Sequence, residues 1–277
     1  MTGLSLPLVG AGELGERLAQ RELRVVDCRF SLADPQAGRR AYAAGHVPGA
    51  VYLSLDGDLS ASTGPGRHPL PETQVFAARL GEVGIGNGHT VVAYDDAGGA
   101  YAARVWWMLR SLGHTGVGVL DGGWRAWLAT GGRVSAEVAP HPPVRFAAPA
   151  EWAGTVDFAG LAATLGEVTL VDARSAERYR GDVEPYDHIA GHIPTAHNLP
   201  YTDNLDEDGR FLPRPVLRTR FAHIDEPIVV YCGSGVTACH DILAMQLAGI
   251  DDAVLYPGSW SDWSASGGAV ATGAEPP

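Results

Sequence analysis

Lysine is missing from all 277 residues: the twenty basic side chains are arginines. Chemistry that depends on a side-chain amine, such as Schiff-base formation or a phosphate-loop lysine, is excluded with it. Cysteine is scarce. Cys28, Cys232 and Cys239 form no Cys-x-x-Cys pair, which argues against a secreted disulfide framework and against a thiolate zinc site. No apolar run approaches the length of a membrane span, and Met1 to Gln20 lacks the basic start and apolar stretch of a signal peptide. Cations are outnumbered, and the net charge of −12 argues against nucleic acid or an anionic membrane as partner. The expected compartment is therefore cytoplasmic. With 45% apolar residues, the length suffices for two domains that each bury a core.

What is present is a repeat. Val25-Val-Asp27-Cys-Arg29 returns as Leu170-Val-Asp172-Ala-Arg174, and Ala44-Gly-His46-Val-Pro48 as Ala190-Gly-His192-Ile-Pro194. Val91-Val-Ala-Tyr94-Asp95 lines up with Val229-Val-Tyr231-Cys232, and Gly122-Gly-Trp124-Arg-Ala-Trp127 with Gly258-Ser-Trp260-Ser-Asp-Trp263. Short apolar strands (Thr90–Tyr94, Gly116–Leu120, Pro227–Tyr231, Asp252–Leu255) alternate with helical stretches near Pro71–Leu80, Arg104–Leu112 and Thr237–Leu247. This alternation predicts α/β domains with mostly parallel sheets and helices on both faces. The expected division is 1–138, a proline-rich and stiff linker over 139–155, and 156–277. His46 and His192 recur in both copies and are expected to fix a loop. The four tryptophans are expected to pack.

The chemistry concentrates at Tyr231-Cys232-Gly233-Ser234-Gly235-Val236-Thr237-Ala238-Cys239-His240. A cysteine at a strand end, followed by Gly-x-Gly and a helix, sits above backbone N–H groups and a positive dipole end. Such a nest stabilises an anionic sulfur and points to Cys232 as a nucleophile. Cys28 and Cys239 read as packing cysteines. Between its His and its Asp the first repeat holds nine more residues than the second does between His and Cys, a Gly/Pro/Ser-rich loop with Asp56, Asp58 and His68. Long loops on compact domains are often functional.

The segment Cys232-Gly-Ser-Gly-Val-Thr237 resembles the active-site loop of the rhodanese-like sulfurtransferases, in the form found in the 3-mercaptopyruvate type, and the repeat extends the resemblance to tandem rhodanese-like domains. The resemblance implies that Asp56 orients His68 and that His68 polarises the Ser234 hydroxyl, with Asp58 as the alternative to Asp56. It implies that Gly233, Gly235, Val236 and Thr237 form the binding loop. Asp172-Ala-Arg174-Ser-Ala-Glu177-Arg178-Tyr-Arg180-Gly181 resembles the family's substrate-binding segment, which makes Arg178, or else Arg180, the reader of the donor's carboxylate. Arg174 is expected to pair with Asp172 or Glu177. Where mercaptopyruvate members often carry an arginine after Glu-Pro, this chain has Tyr186. The first repeat has Asp95 in place of the cysteine and is expected to be a catalytically silent copy.

The implied function is transfer of a sulfane sulfur from 3-mercaptopyruvate, through a Cys232 persulfide, to a thiol such as a thioredoxin-like protein or to cyanide. The implied enzyme is a monomer that needs no cofactor or metal. Thiosulfate is the alternative donor, disfavoured because residues 233 to 238 hold no cation. A non-catalytic docking module is the alternative of another class, set against an intact Cys232. A cysteine phosphatase fails because Ala238 stands where that chemistry requires arginine.

Overall fold

Short runs of β-branched and apolar residues become most of the strands (the exception is a His-Asn edge pair), and the described strands all pair in parallel. In the first part of the chain these are Leu8–Val9 (β1), Leu23–Asp27 (β2), Ala50–Tyr52 (β3), Thr90–Tyr94 (β4) and Val117–Leu120 (β5), in the order β1-β5-β4-β2-β3. In the second part Thr169–Asp172 (β6), His197–Asn198 (β7), Ile228–Tyr231 (β8) and Val254–Leu255 (β9) pair as β7-β6-β8-β9. Helices flank both sheets. The expected helices fall at Thr73–Glu82, Ala102–Ser111 and Ala238–Ala248. The structure is a computed structural model and describes residues 4–138 and 141–274.

Packing divides the chain into two units. The first comprises the residues up to Ala61, Pro71–Ala153 and Glu207–Arg210; the second comprises Ser62–Leu70, Gly154–Asp206 and the chain from Phe211 onward. The stretch 62–70 thus groups with the second repeat although it is encoded in the first. The expected linker is not a bare spacer. Ala139 and Pro140 lie outside the described residues, but beyond them Val144 donates its N–H to Gly81 O at 2.9 Å and Phe146 is buried. Thr73 Oγ1 donates to Pro149 O at 2.7 Å, and the Trp152 ring packs on Phe76 and Trp107. These residues adhere to the first unit, because apolar side chains in an extended strap gain more by burial than by remaining in water.

The repeated motifs do the same work in each unit. Asp27 and Asp172 sit in register with Tyr94 and Tyr231. Each aspartate pairs with the arginine two residues on, Arg29 or Arg174, at 2.6 Å with hardly any exposure. The guanidiniums lie over Trp124 and Trp260, 4.6 and 4.8 Å from the ring centres. Buried pairs of this kind are costly to break from one side, about 3–5 kcal/mol. His46 stacks on Tyr42 and His192 on Tyr179, each with Nδ1 against that tyrosine's carbonyl, so both histidines fix a loop. Trp127 and Trp263 are buried, and their Nε1–H groups donate to Arg133 O and Ala269 O.

Candidate active site

The helix that follows Cys232 is apolar on nearly every side, and all of Ala238–Ala248 except Gln246 is buried. A helix of that composition belongs inside the unit, and its burial fixes the loop at its N-terminus. Gly235 has φ +73, and a Cβ there would come 2.4 Å from Pro257 O, so only glycine fits. The loop's early carbonyls are tied down: Cys232 O accepts from Trp260 N and Gly233 O from Ser261 N, both at 3.0 Å. The Cys232 N–H donates to Ser259 Oγ at 3.1 Å, and Ser259 Oγ donates to Tyr256 O at 2.9 Å. Ser259 is wholly buried and holds φ +54, a conformation that disfavours a side chain. Among the described residues, the N–H groups of Gly233, Ser234, Val236 and Thr237 find no protein acceptor. Unsatisfied amides at the start of an eleven-residue helix make a site for negative charge. Cys232 lies there, 2% exposed.

His68 meets this loop. Its Nδ1 lies 2.7 Å from Ser234 Oγ, and both side chains are buried. The backbone on either side is anchored: Arg67 N–H donates to Ser261 Oγ at 3.0 Å, and Gly66, at φ +78, approaches Gly258 O too closely for any Cβ. An imidazole on a hydroxyl two residues from a thiol can move a proton near the sulfur. The two aspartates differ. Asp58 accepts from Ser54 N–H and from Arg79 Nε, both at 2.6 Å, closing the turn and pairing with the following helix. Asp56 is exposed, and such burial as it has pushes its carboxyl above the usual pKa. Asp56 belongs to the first unit.

The arginines separate in the same way. Arg178 donates Nη2 to Glu184 Oε1 and Oε2 at 2.7 and 2.9 Å and lies 3.6 Å from Asp187. Its Nη1 lies beside Gly233, 3.1 Å from where a Cβ would stand. Arg180 pairs with Asp182 at 2.8 Å through side chains open to solvent. Arg174 takes Asp172, as expected, but its second acid is Glu184 rather than Glu177. Val236 is buried, and Thr237 occupies the N-cap position of the helix without a side-chain capping bond. Two side chains here are not among the residues that the sequence singles out. Arg67 pairs with Asp187 and brings Nη2 to the same face of Gly233 as Arg178; its signal was adjacency to His68. Ser259, which takes the Cys232 N–H, gave none.

The other thiols are plain packing groups. Cys28 Sγ donates to Tyr94 O at 3.1 Å, and burial holds its pKa well above the usual thiol value. Cys239 Sγ donates to Gly235 O at 3.3 Å from inside the helix. His188 and His192 stand at His-x-x-x-His spacing, and His192 Nδ1 faces Tyr179 O at 2.8 Å. Among the described residues no group of three or more His, Cys, Asp or Glu side chains could hold a metal ion, and no helix is long and apolar enough to cross a membrane.

Comparison with known proteins gives this geometry a context. The model of the rhodanese-like domain matches twice, at residues 10–130 and 158–266. A probable 3-mercaptopyruvate sulfurtransferase of Pseudomonas aeruginosa is 45% identical over 271 residues, 94% of this chain and 95% of that one. A putative thiosulfate sulfurtransferase, SseB, of Mycobacterium tuberculosis is 42% identical over 93% of both chains. Among solved structures, the 3-mercaptopyruvate sulfurtransferase from Leishmania major superposes with a TM-score of 0.84 at 32% identity, covering 96% of this chain and 76% of that one.

Proposed function

We infer that this chain, which belongs to the rhodanese-like domain family, is a sulfurtransferase that takes sulfur from 3-mercaptopyruvate through a persulfide on Cys232. The observation that carries the reading is the 2.7 Å bond between His68 and Ser234 beside a cysteine whose loop amides lack acceptors. In the first half-reaction the Cys232 thiolate attacks the donor's sulfur. An S–S bond forms, the C–S bond breaks, and its electron pair leaves on the pyruvate enolate. The proton released from the donor's thiol reaches the enolate with help from the Ser234 hydroxyl and the His68 imidazole. Asp56 is the further member proposed for this relay, since the Asp58 carboxylate is engaged by Ser54 and Arg79. The persulfide's outer sulfur rests against the amides of Gly233 to Thr237, and Arg178 reads the donor's carboxylate. A thiol acceptor, such as a thioredoxin-like protein, or cyanide then takes that sulfur and returns the thiolate.

Thiosulfate remains the second reading. The loop's lack of an internal cation, which disfavours it in the sequence, is offset by the Arg67 and Arg178 guanidiniums beside Gly233. A monomer in the cytoplasm is proposed, with residues 1–138 as the silent copy and 156–277 as the catalytic one. The test is kcat/KM for both donors side by side. A higher value for 3-mercaptopyruvate is expected, and the reverse ratio would replace it with thiosulfate. Mass spectrometry after donor treatment should show a gain of about 32 Da, one sulfur atom, on Cys232. Without that gain from any donor, the docking reading would take over.

A further inference from the structure

The loop 62–70 delivers two side chains, not one. His68 goes to Ser234, and Arg67, one residue earlier, goes to Gly233, the residue directly after Cys232. A Cβ built on Gly233 would lie 2.8 Å from Arg67 Nη2 and 3.1 Å from Arg178 Nη1. Two guanidiniums from distant parts of the sequence therefore converge on one point next to the reactive sulfur. They also share their supports. Both pair with Asp187, and both lie over the Tyr186 ring, 5.4 Å away for Arg67 and 5.1 Å for Arg178. Glu184 holds Arg178 from the far side.

Like charges do not assemble without cause. Asp187, Glu184 and the Tyr186 π-face offset the repulsion and fix both forks in one pose. What this leaves over is specific. Among the described residues, Arg67 Nη2 and Arg178 Nη1 have no protein acceptor, and both side chains are partly open to solvent. These two donors flank one point, close enough for one carboxylate to place an oxygen on each. Gly233 has no side chain to fill the gap.

On the premise of the sulfur-transfer reading above, we propose that Arg67 is a second substrate-binding residue, gripping the donor's carboxylate jointly with Arg178, with Tyr186 and Asp187 as the frame that spaces the pair. Tyr186 is then no gap in the recognition of an acid. It is the platform on which a guanidinium from the 62–70 loop replaces one from its own segment. The same loop thereby couples recognition of the acid to delivery of the imidazole.

The experiment compares the full chain with Arg67→Gln, using 3-mercaptopyruvate and its uncharged methyl ester as donors. Losing one charge-assisted contact should raise KM for the acid about tenfold or more, with kcat within about twofold. KM for the ester should not move, and inhibition by pyruvate should weaken in parallel. An unchanged KM for the acid, or equal losses on acid and ester, would overturn the proposal; equal losses would mean that Arg67 acts only by placing His68. Should the Gln variant not fold, Arg67→Lys keeps charge but not fork, and a KM for the acid raised about two- to fivefold is expected, no change being the refutation. Sulfur loading of wild-type Cys232 is measured first. If 3-mercaptopyruvate loads none, the functional reading itself fails; if it loads and the variants do not discriminate, this inference alone fails.

Discussion

At the ends of β4 and β8 the chain enters loops of the same kind around different side chains. Asp95, wholly buried, turns its carboxylate inward and accepts from the N–H groups of Ala97, Gly99, Tyr101 and Ala102 at 2.7–2.9 Å. Those four amides oppose the desolvation that raises its pKa. At the matching place Cys232 takes none of its loop's amides, and four of them lack a protein acceptor among the described residues. The first unit therefore shows what such a nest accepts: one small negative group on the side chain just past the strand. In the second unit the side chain at that place is the Cys232 thiol, and the amides stay open. One nest is filled by its own side chain; the other is open in the way the proposed persulfide requires.

The sharpest way to break the comparison is Cys232→Asp, which installs the first unit's solution in the second. Sulfur transfer should fall to background with either donor while circular dichroism keeps the native fold; residual turnover would move the nucleophile elsewhere. Next in size, Asp95→Ala strands four amides, those of Gly99 and Ala102 buried and those of Ala97 and Tyr101 partly so, and should cost about 3 kcal/mol or more in denaturant unfolding, whereas Cys232→Ala should cost distinctly less. Similar losses would mean that the two nests are not alike. His68→Ala should lower kcat/KM for 3-mercaptopyruvate about a hundredfold and for thiosulfate less, because thiosulfate leaves as sulfite and needs no carbon protonated. Equal losses would remove the relay.

The smallest effect at any single pH step concerns buried ionisable groups in the two corresponding helices, Arg104 in one and Asp241 in the other. Burial pushes the Asp241 carboxyl up to about 8, opposed by its hydrogen bond from Asn204 at 2.6 Å. Its folded pKa lies above the unfolded one, so its contribution is complete in acid and is lost as pH rises through about 8. Between about pH 4 and 8 it should lower stability by at most about 1.4 kcal/mol per unit. Asp241→Asn, neutral and of the same shape, should flatten that slope in urea titrations at several pH values.

Strands and helices were legible because their signals are local: β-branched runs at Ile228–Tyr231 and Thr90–Tyr94, and a glycine-free Ala/Leu/Met stretch ending at Gly249. The repeat made the duplicated Arg–Asp and Trp positions readable as scaffold. The meeting of His68 with Ser234 was visible only through family resemblance, since nothing in a loop's composition says which distant segment it will join. That Asp58 pairs with Arg79 was not legible in the loop, because that pairing is a matter of tertiary position. Arg67 and Ser259 escaped for related reasons. Arg67 earns its place through contacts far along the chain, and Ser259 through a left-handed backbone that sequence would sooner assign to glycine, as at Gly123, which holds φ +53 in the first unit.

Residues 62–70 are encoded in one copy of the repeat and packed with the other. The seam left by duplication and the seam seen by the packing are therefore different lines. A scissor cut near residue 138 would yield a half-protein that owns the thiol but has surrendered its imidazole partner. The unit that holds Cys232 cannot be divided from the rest at the repeat boundary without losing the contact between His68 and Ser234.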